Sequence, residues 1–96
     1  MARCVLLLKF TDKGIAAVKD SPARAAAFRE AAAKAGAKVE TLLWMHGEYD
    51  GLVVLSAPDE AALSSVALQL GGRGFVRTTL CRALDEAEFK AALGKL

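Results

Sequence analysis

The sequence predicts an α+β fold of the ferredoxin-like kind, with the element order β-α-β-β-α-β and an extra C-terminal helix. Two runs, residues 3–10 and 52–55, are apolar at both odd and even positions, which is typical of central strands covered on both faces. Two other segments have helical periodicity, and the turn at residues 46–51 joins two strand patterns without a helix. These features predict a four-stranded antiparallel sheet with the first and third strands in the middle and both helices on one face.

Length and composition limit the class of protein. A chain of 96 residues is expected to form one domain, residues 1–96, around one core. The hydrophobic fraction of 54% and the mean hydropathy of +0.30 are high for so short a chain, so we expect apolar surface to be buried against another copy. No run approaches the roughly 18 apolar residues of a membrane span. The charges are mixed and sum to +2, so we expect neither a membrane nor a nucleic-acid partner.

The N-terminus and the cysteines indicate a cytoplasmic protein. The apolar run after Arg3 is interrupted by Lys9, which makes it too short for a signal-peptide core. Cys4 and Cys81 form no CxxC pair, and we interpret them as two buried free thiols in a reducing compartment. The less favoured alternative is a disulfide, which requires the two cysteines to lie opposite one another on adjacent strands.

The first half of the chain contains the first strand and a divided helical segment. Residues 3–10 form the strand, and Thr11 and Asp12 are helix-starting residues that end it. The segment from residue 13 to residue 35 is divided at Ser21, which we expect to be the N-cap of a longer second helix with Pro22 in its first position. Gly36 is the expected left-handed terminator. Arg24 falls largely outside the apolar stripe of that helix, which comprises Ala25, Phe28, Ala32 and Ala35.

The middle of the chain is predicted to form a hairpin. Residues 39–45 alternate as a strand in which Val39, Thr41 and Leu43 share one face. The turn from His46 to Gly51 then leads into the third strand, residues 52–55.

The last third of the chain supplies a helix, a strand and a terminal helix. Pro58, Asp59 and Glu60 are expected in the opening turn of the second covering helix, whose buried face comprises Leu63, Val66, Ala67 and Leu70. Residues 75–82 are rich in strand-forming residues. The terminal helix begins with Asp85 as N-cap, Glu88 completing a capping box, and Leu84 against Phe89 as a hydrophobic staple.

Two helices cover only one face of the predicted sheet. The other face is also partly apolar, and the chain hardly has residues left to cover it. The simplest cover is a second subunit that packs sheet against sheet. We therefore expect a homodimer or a higher homo-oligomer.

Several short motifs occur in order along the chain: Phe10-Thr11-x-x-Gly14, Ala27-Phe28, Gly47-x-Tyr49-Asp50, Ala57-Pro58-Asp59, Val76-Arg77-Thr78 and Arg82-Ala83. Together they resemble the motifs of the GYD-domain family, small proteins named for a Gly-x-Tyr-Asp turn. The resemblance covers nearly the whole chain and implies a ferredoxin-like domain of the dimeric α/β-barrel kind, with no settled activity. Two positions depart from the family pattern: Ser56 stands where members often carry Glu, and Phe75 where Asn is common.

The hairpin turn holds the candidate catalytic residues His46, Tyr49 and Asp50. An imidazole beside carboxylates suits general acid-base chemistry near neutral pH. The structural alternative, which we favour, is that Asp50 accepts backbone N–H bonds in the turn and Tyr49 packs on the sheet. One histidine with the carboxylates of Glu48 and Asp50 lacks a specific ligand spacing, so we expect no metal site.

The candidate ligand-binding residues are those expected around the uncovered sheet face: Lys9, Thr11, Trp44, Arg77 and Thr78. If that face forms a cavity, Lys9 or Arg77 among apolar side chains would suit an anionic or enolate-like ligand. The alternative for Arg77 is an ion pair with a carboxylate across a subunit interface. The alternative for Trp44 is a place in the interface core.

Two functions remain open on the sequence. The first is a binding or assembly module that takes a small organic molecule into the sheet-face cavity. The second is a cofactor-independent enzyme, a small monooxygenase or an isomerase, by analogy with other dimeric α/β-barrel families. The second requires His46, Tyr49 or Asp50 to point into the cavity, and neither requires a cofactor.

Overall fold

The computed structural model describes every residue from Met1 to Leu96 and confirms the predicted ferredoxin-like α+β fold. The strands are β1 (Ala2–Phe10), β2 (Lys38–Trp44), β3 (Gly51–Ala57) and β4 (Val76–Arg82). The helices are α1 (Asp12–Ala16), α2 (Ser21–Lys34), α3 (Glu60–Gly72) and α4 (Glu86–Leu93), with a short 3-10 helix at Val18–Asp20. All strand pairs are antiparallel in the order β2-β3-β1-β4, so the two strands that are apolar on both faces lie in the middle, as predicted.

The core lies between one side of the sheet and the two long helices. Alternate residues of β1 and β3 point to this side, and Cys4, Leu6 and Leu55 are completely buried there. The predicted stripes of both helices are confirmed for the residues that join the same buried cluster, which are Phe28, Ala32, Leu63, Val66 and Ala67. Ala35 and Leu70 pack against this cluster partly buried, and Ala25 lies outside it. α2 and α3 therefore cover one side of the sheet only.

Three of the four helices begin with a side-chain cap. The Thr11 hydroxyl accepts from the Gly14 N–H at 3.1 Å at the start of α1. Asp85 and Glu88 form the predicted capping box of α4. Asp59 caps α3 by accepting from the Ala62 N–H at 2.9 Å, so the prediction that it lies inside the opening turn was wrong by one position. These bonds satisfy backbone donors that a helix start leaves free.

α2 differs from its predicted start. Ser21 is the first helical residue rather than the N-cap, and Asp20 in the cap position makes no capping bond with its side chain. The Ser21 hydroxyl instead accepts from the Trp44 indole N–H at 3.0 Å. The Ser21 hydroxyl is therefore engaged in a tertiary hydrogen bond with β2 and does not provide the cap of α2 that the sequence pattern had predicted.

A β-bulge in β2 breaks the predicted alternation. Val39 lies opposite Leu55 and Thr41 lies opposite Val54, with the register shift between them. Val39 therefore faces the helices, and Thr41 and Leu43 face the opposite side, because an extra residue reverses the alternation. The extra residue, Glu40, accepts a hydrogen bond of 2.8 Å from the Ser56 hydroxyl.

α4 is attached to the rest of the chain mainly through its first turn. The Arg3 guanidinium lies 3.1 Å from the Glu88 carboxylate and 3.8 Å from that of Asp85. Phe89 and Leu93 remain 55% and 47% exposed.

None of the helices has the length and apolar character that a membrane-spanning helix requires.

Candidate functional site

The side of the sheet opposite α2 and α3, here called the open face, carries a continuous apolar centre. Val5, Leu7, Leu52 and Val54 on the two central strands are half-buried, and Leu43 on the edge strand is 52% exposed. Strand pairing sets these side chains in two rows, one of Leu43, Leu52, Leu7 and Thr79, the other of Thr41, Val54, Val5 and Cys81. Opposite residues in an antiparallel pair point to the same side, so the rows form one patch.

Two cations lie side by side at one end of the open face. Lys9 on β1 is directly opposite Arg77 on β4, and both side chains are exposed. Neither takes part in any ion pair of the structure. The Lys9 ammonium lies 5.3 Å from the centre of the Tyr49 ring. Like charges directly opposite one another are unfavourable, so this end of the face would be stabilised by an anion.

The other predicted ligand-binding residues lie elsewhere. Thr11 is fully occupied at the start of α1, where its hydroxyl also donates to the Gly74 carbonyl at 2.6 Å. Thr78 lies opposite Leu8 and Trp44 lies opposite Gly51, on the helical side of the sheet. The structure therefore brings Lys9 and Arg77 together and does not join the remaining three to them.

The candidate catalytic residues of the hairpin turn point in different directions. The Asp50 carboxylate accepts from the Phe10 N–H at 2.8 Å and lines a cavity on the helical side. Tyr49 lies beside Lys9 on the open face. His46 is exposed and makes no side-chain hydrogen bond. No group of three metal-ligating side chains occurs in the structure.

A second site, which we call the helix-side cavity, lies between α2, α3 and the sheet and has a volume of about 70 Å³. Its walls include apolar residues of all three elements: Leu8, Phe28, Leu42, Val53, Leu70 and Phe75. Arg24 also lines it, although the helical pattern placed this residue outside the buried stripe. One sequence feature could have predicted this position: Arg24 lies four residues before Phe28, which puts both side chains on one face of a helix.

The two cysteines are free thiols, but the prediction that both are buried is wrong for Cys81, and the two cysteines do not lie opposite one another. Cys4 is completely buried, and burial raises the pKa of its thiol. Cys81 is exposed, and it lies opposite Val5, while Arg82 lies opposite Cys4. A shift of one residue puts a side chain on the other face of a sheet. Cys81 therefore belongs to the open face and Cys4 to the core.

Comparison with known proteins gives one match. The model of a family described as the GYD domain matches residues 4–93 of the chain. No curated protein and no solved structure matches it.

Proposed function

The chain belongs to the GYD-domain family, and on that basis we propose that it is a homo-oligomeric small-molecule-binding module in which two copies pack sheet against sheet. The observation that supports the proposal is the apolar centre of the open face, formed by Val5, Leu7, Leu52, Val54 and Leu43. Exposed apolar surface costs free energy in water in proportion to its area. A second copy that presents the same rows removes the patch of both chains from water at once.

The proposed ligand is a small organic anion bound at the end of the paired sheets. Side chains of two packed sheets interdigitate over a separation of about 10 Å. Lys9 and Arg77 would stand at the edge of that layer, without carboxylate partners from their own chain. A guanidinium and an ammonium beside apolar surface suit a carboxylate or an enolate-like oxygen.

We do not favour the enzymatic alternative, a cofactor-independent monooxygenase or isomerase. It needs a base directed toward the bound molecule. The Asp50 carboxylate already accepts a hydrogen bond from the Phe10 N–H. Asp50 and Tyr49 also lie on different sides of the sheet.

Native mass spectrometry of freshly purified protein tests the binding proposal. We expect a species of at least twice the 10.1 kDa protomer that carries an additional small mass. Lys9→Gln combined with Arg77→Gln should remove the additional mass and leave the assembly intact, because neither residue belongs to the apolar centre. An additional mass that persists in the double variant would contradict the role of these two cations.

Alkylation of the cysteines gives an independent test of assembly. We expect iodoacetamide to modify Cys81 more slowly as the protein concentration rises, because Cys81 lies in a row of the open face. Cys4 should stay unmodified throughout, since it is buried and the pKa of its thiol is raised, and it serves as the internal control. A Cys81 rate that does not depend on protein concentration would count against coverage of this face.

A further inference from the structure

Two cations lie close to one aromatic ring in the wall of the helix-side cavity, that of Phe75. The Arg24 guanidinium carbon lies 4.3 Å from the centre of the Phe75 ring, and the Lys13 ammonium lies 4.4 Å from it. Arg73 lines the same cavity. None of the three cations takes part in an ion pair. The one carboxylate in the cavity wall, that of Asp50, accepts from the Phe10 N–H.

Arg24 has a hydrogen-bond donor without a partner. Its Nη1 donates to the Ala17 carbonyl at 3.0 Å. Its Nη2 is buried and has no hydrogen-bond partner. Buried polar groups are almost always paired, and a charged donor left unpaired costs more than a neutral one. A ligand acceptor in the cavity beside the guanidinium would satisfy this nitrogen after a small rotation of the Arg24 side chain.

The position of Arg24 in α2 favours an anion as that acceptor. Arg24 lies one turn from the helix start at Ser21, where the helix dipole presents partial positive charge and a cation is unfavourable. The N-cap residue Asp20 makes no capping bond with its side chain. A ligand carboxylate beside Arg24 would offset both the guanidinium charge and the positive end of the helix.

The walls and the volume of the cavity limit the polarity and the size of the rest of the ligand. Apolar side chains such as Leu8, Phe28 and Val53 form its walls. Its volume of about 70 Å³ is roughly half of the ~150 Å³ that accommodates a benzene ring. We propose that the helix-side cavity binds a short-chain alkyl carboxylate, with the carboxylate at Arg24 and the alkyl chain between α2, α3 and the sheet. This site is on the opposite side of the sheet from the open face, so it does not depend on self-association.

Fluorescence of Trp44, the only tryptophan and part of the cavity wall, tests this proposal directly. The probes are butanoate, butan-1-ol and butylamine, which share one propyl chain and differ in charge, because a cavity of half the volume that accommodates six ring carbons has room for about three alkyl carbons. We expect a saturable change with butanoate and at least tenfold weaker binding of the alcohol and the amine. No saturable change with butanoate, or equal affinity for butan-1-ol, would overturn the proposal without the need for any variant.

Substitution of Arg24 identifies the residue that binds the anion. Arg24→Gln should weaken butanoate binding at least tenfold. Arg29→Gln, in an exposed position of the same helix, is the matched control and should bind as the parent protein does. Unchanged binding by a folded Arg24→Gln variant would overturn the assignment. So would amide chemical-shift changes on butanoate binding that centre on Lys9 and Arg77 instead of Arg24 and Gly51.

Discussion

Replacing Gly14 with alanine is expected to lower the free energy of unfolding by about 3 kcal/mol. Gly14 is buried in α1, and a β-carbon at this position would overlap the Phe75 carbonyl oxygen. That oxygen belongs to the backbone and accepts from the Thr11 N–H at 3.1 Å, so it cannot rotate away as a side chain would. The melting temperature should fall by roughly 12–24 °C, measured by circular dichroism.

The matched control is Gly71→Ala. Gly71 also lies in a helix, α3, but a β-carbon there meets nothing within 4 Å. Alanine is the better helix former by about 0.5–1 kcal/mol, so this variant should be as stable as the parent or slightly more stable. Equal stability of Gly14→Ala and Gly71→Ala would contradict the close approach of α1 to Phe75.

Replacing Leu7 with glutamate is expected to abolish self-association. Leu7 lies at the centre of the open face, between Leu52 and Thr79. Because Leu7 is already half-buried in the isolated chain, association would bury only its remaining surface, worth about 0.75–1.5 kcal/mol, and a two-fold interface would lose this twice. A loss of ~1.5–3 kcal/mol weakens association at least tenfold. The buried carboxylate adds a further penalty.

Leu68→Glu is the matched control for this change. Leu68 is 75% exposed on α3, so the same substitution there should leave both the oligomeric state and the melting temperature near those of the parent. Leu43→Glu, on the exposed edge of the open face, provides a second variant if Leu7→Glu does not fold. Loss of assembly in Leu68→Glu with assembly retained in both open-face variants would place the interface on the helical side.

The predictable part of the fold rests on patterns local in sequence. The runs that are apolar at both odd and even positions predicted β1 and β3, and the turn from His46 to Gly51 predicted the hairpin. Both predictions were possible because each pattern depends only on residues adjacent in sequence. The capping box of α4 was predicted for the same reason.

The features that the sequence did not predict arise from contacts between distant segments. The bulge at Glu40 accompanies a bond to Ser56, which belongs to the next strand. The face on which Cys81 lies depends on a register that a shift of one residue reverses. The role of Arg24 depends on the cavity that it lines and on Phe75, from the loop before β4, which lies against its guanidinium.

Sedimentation velocity on the unmodified protein, over a range of concentrations, tests self-association through the open face most directly. A species of at least twice 10.1 kDa that is lost in Leu7→Glu and kept in Leu68→Glu is the expected result. A mass of 10.1 kDa at every concentration would contradict it.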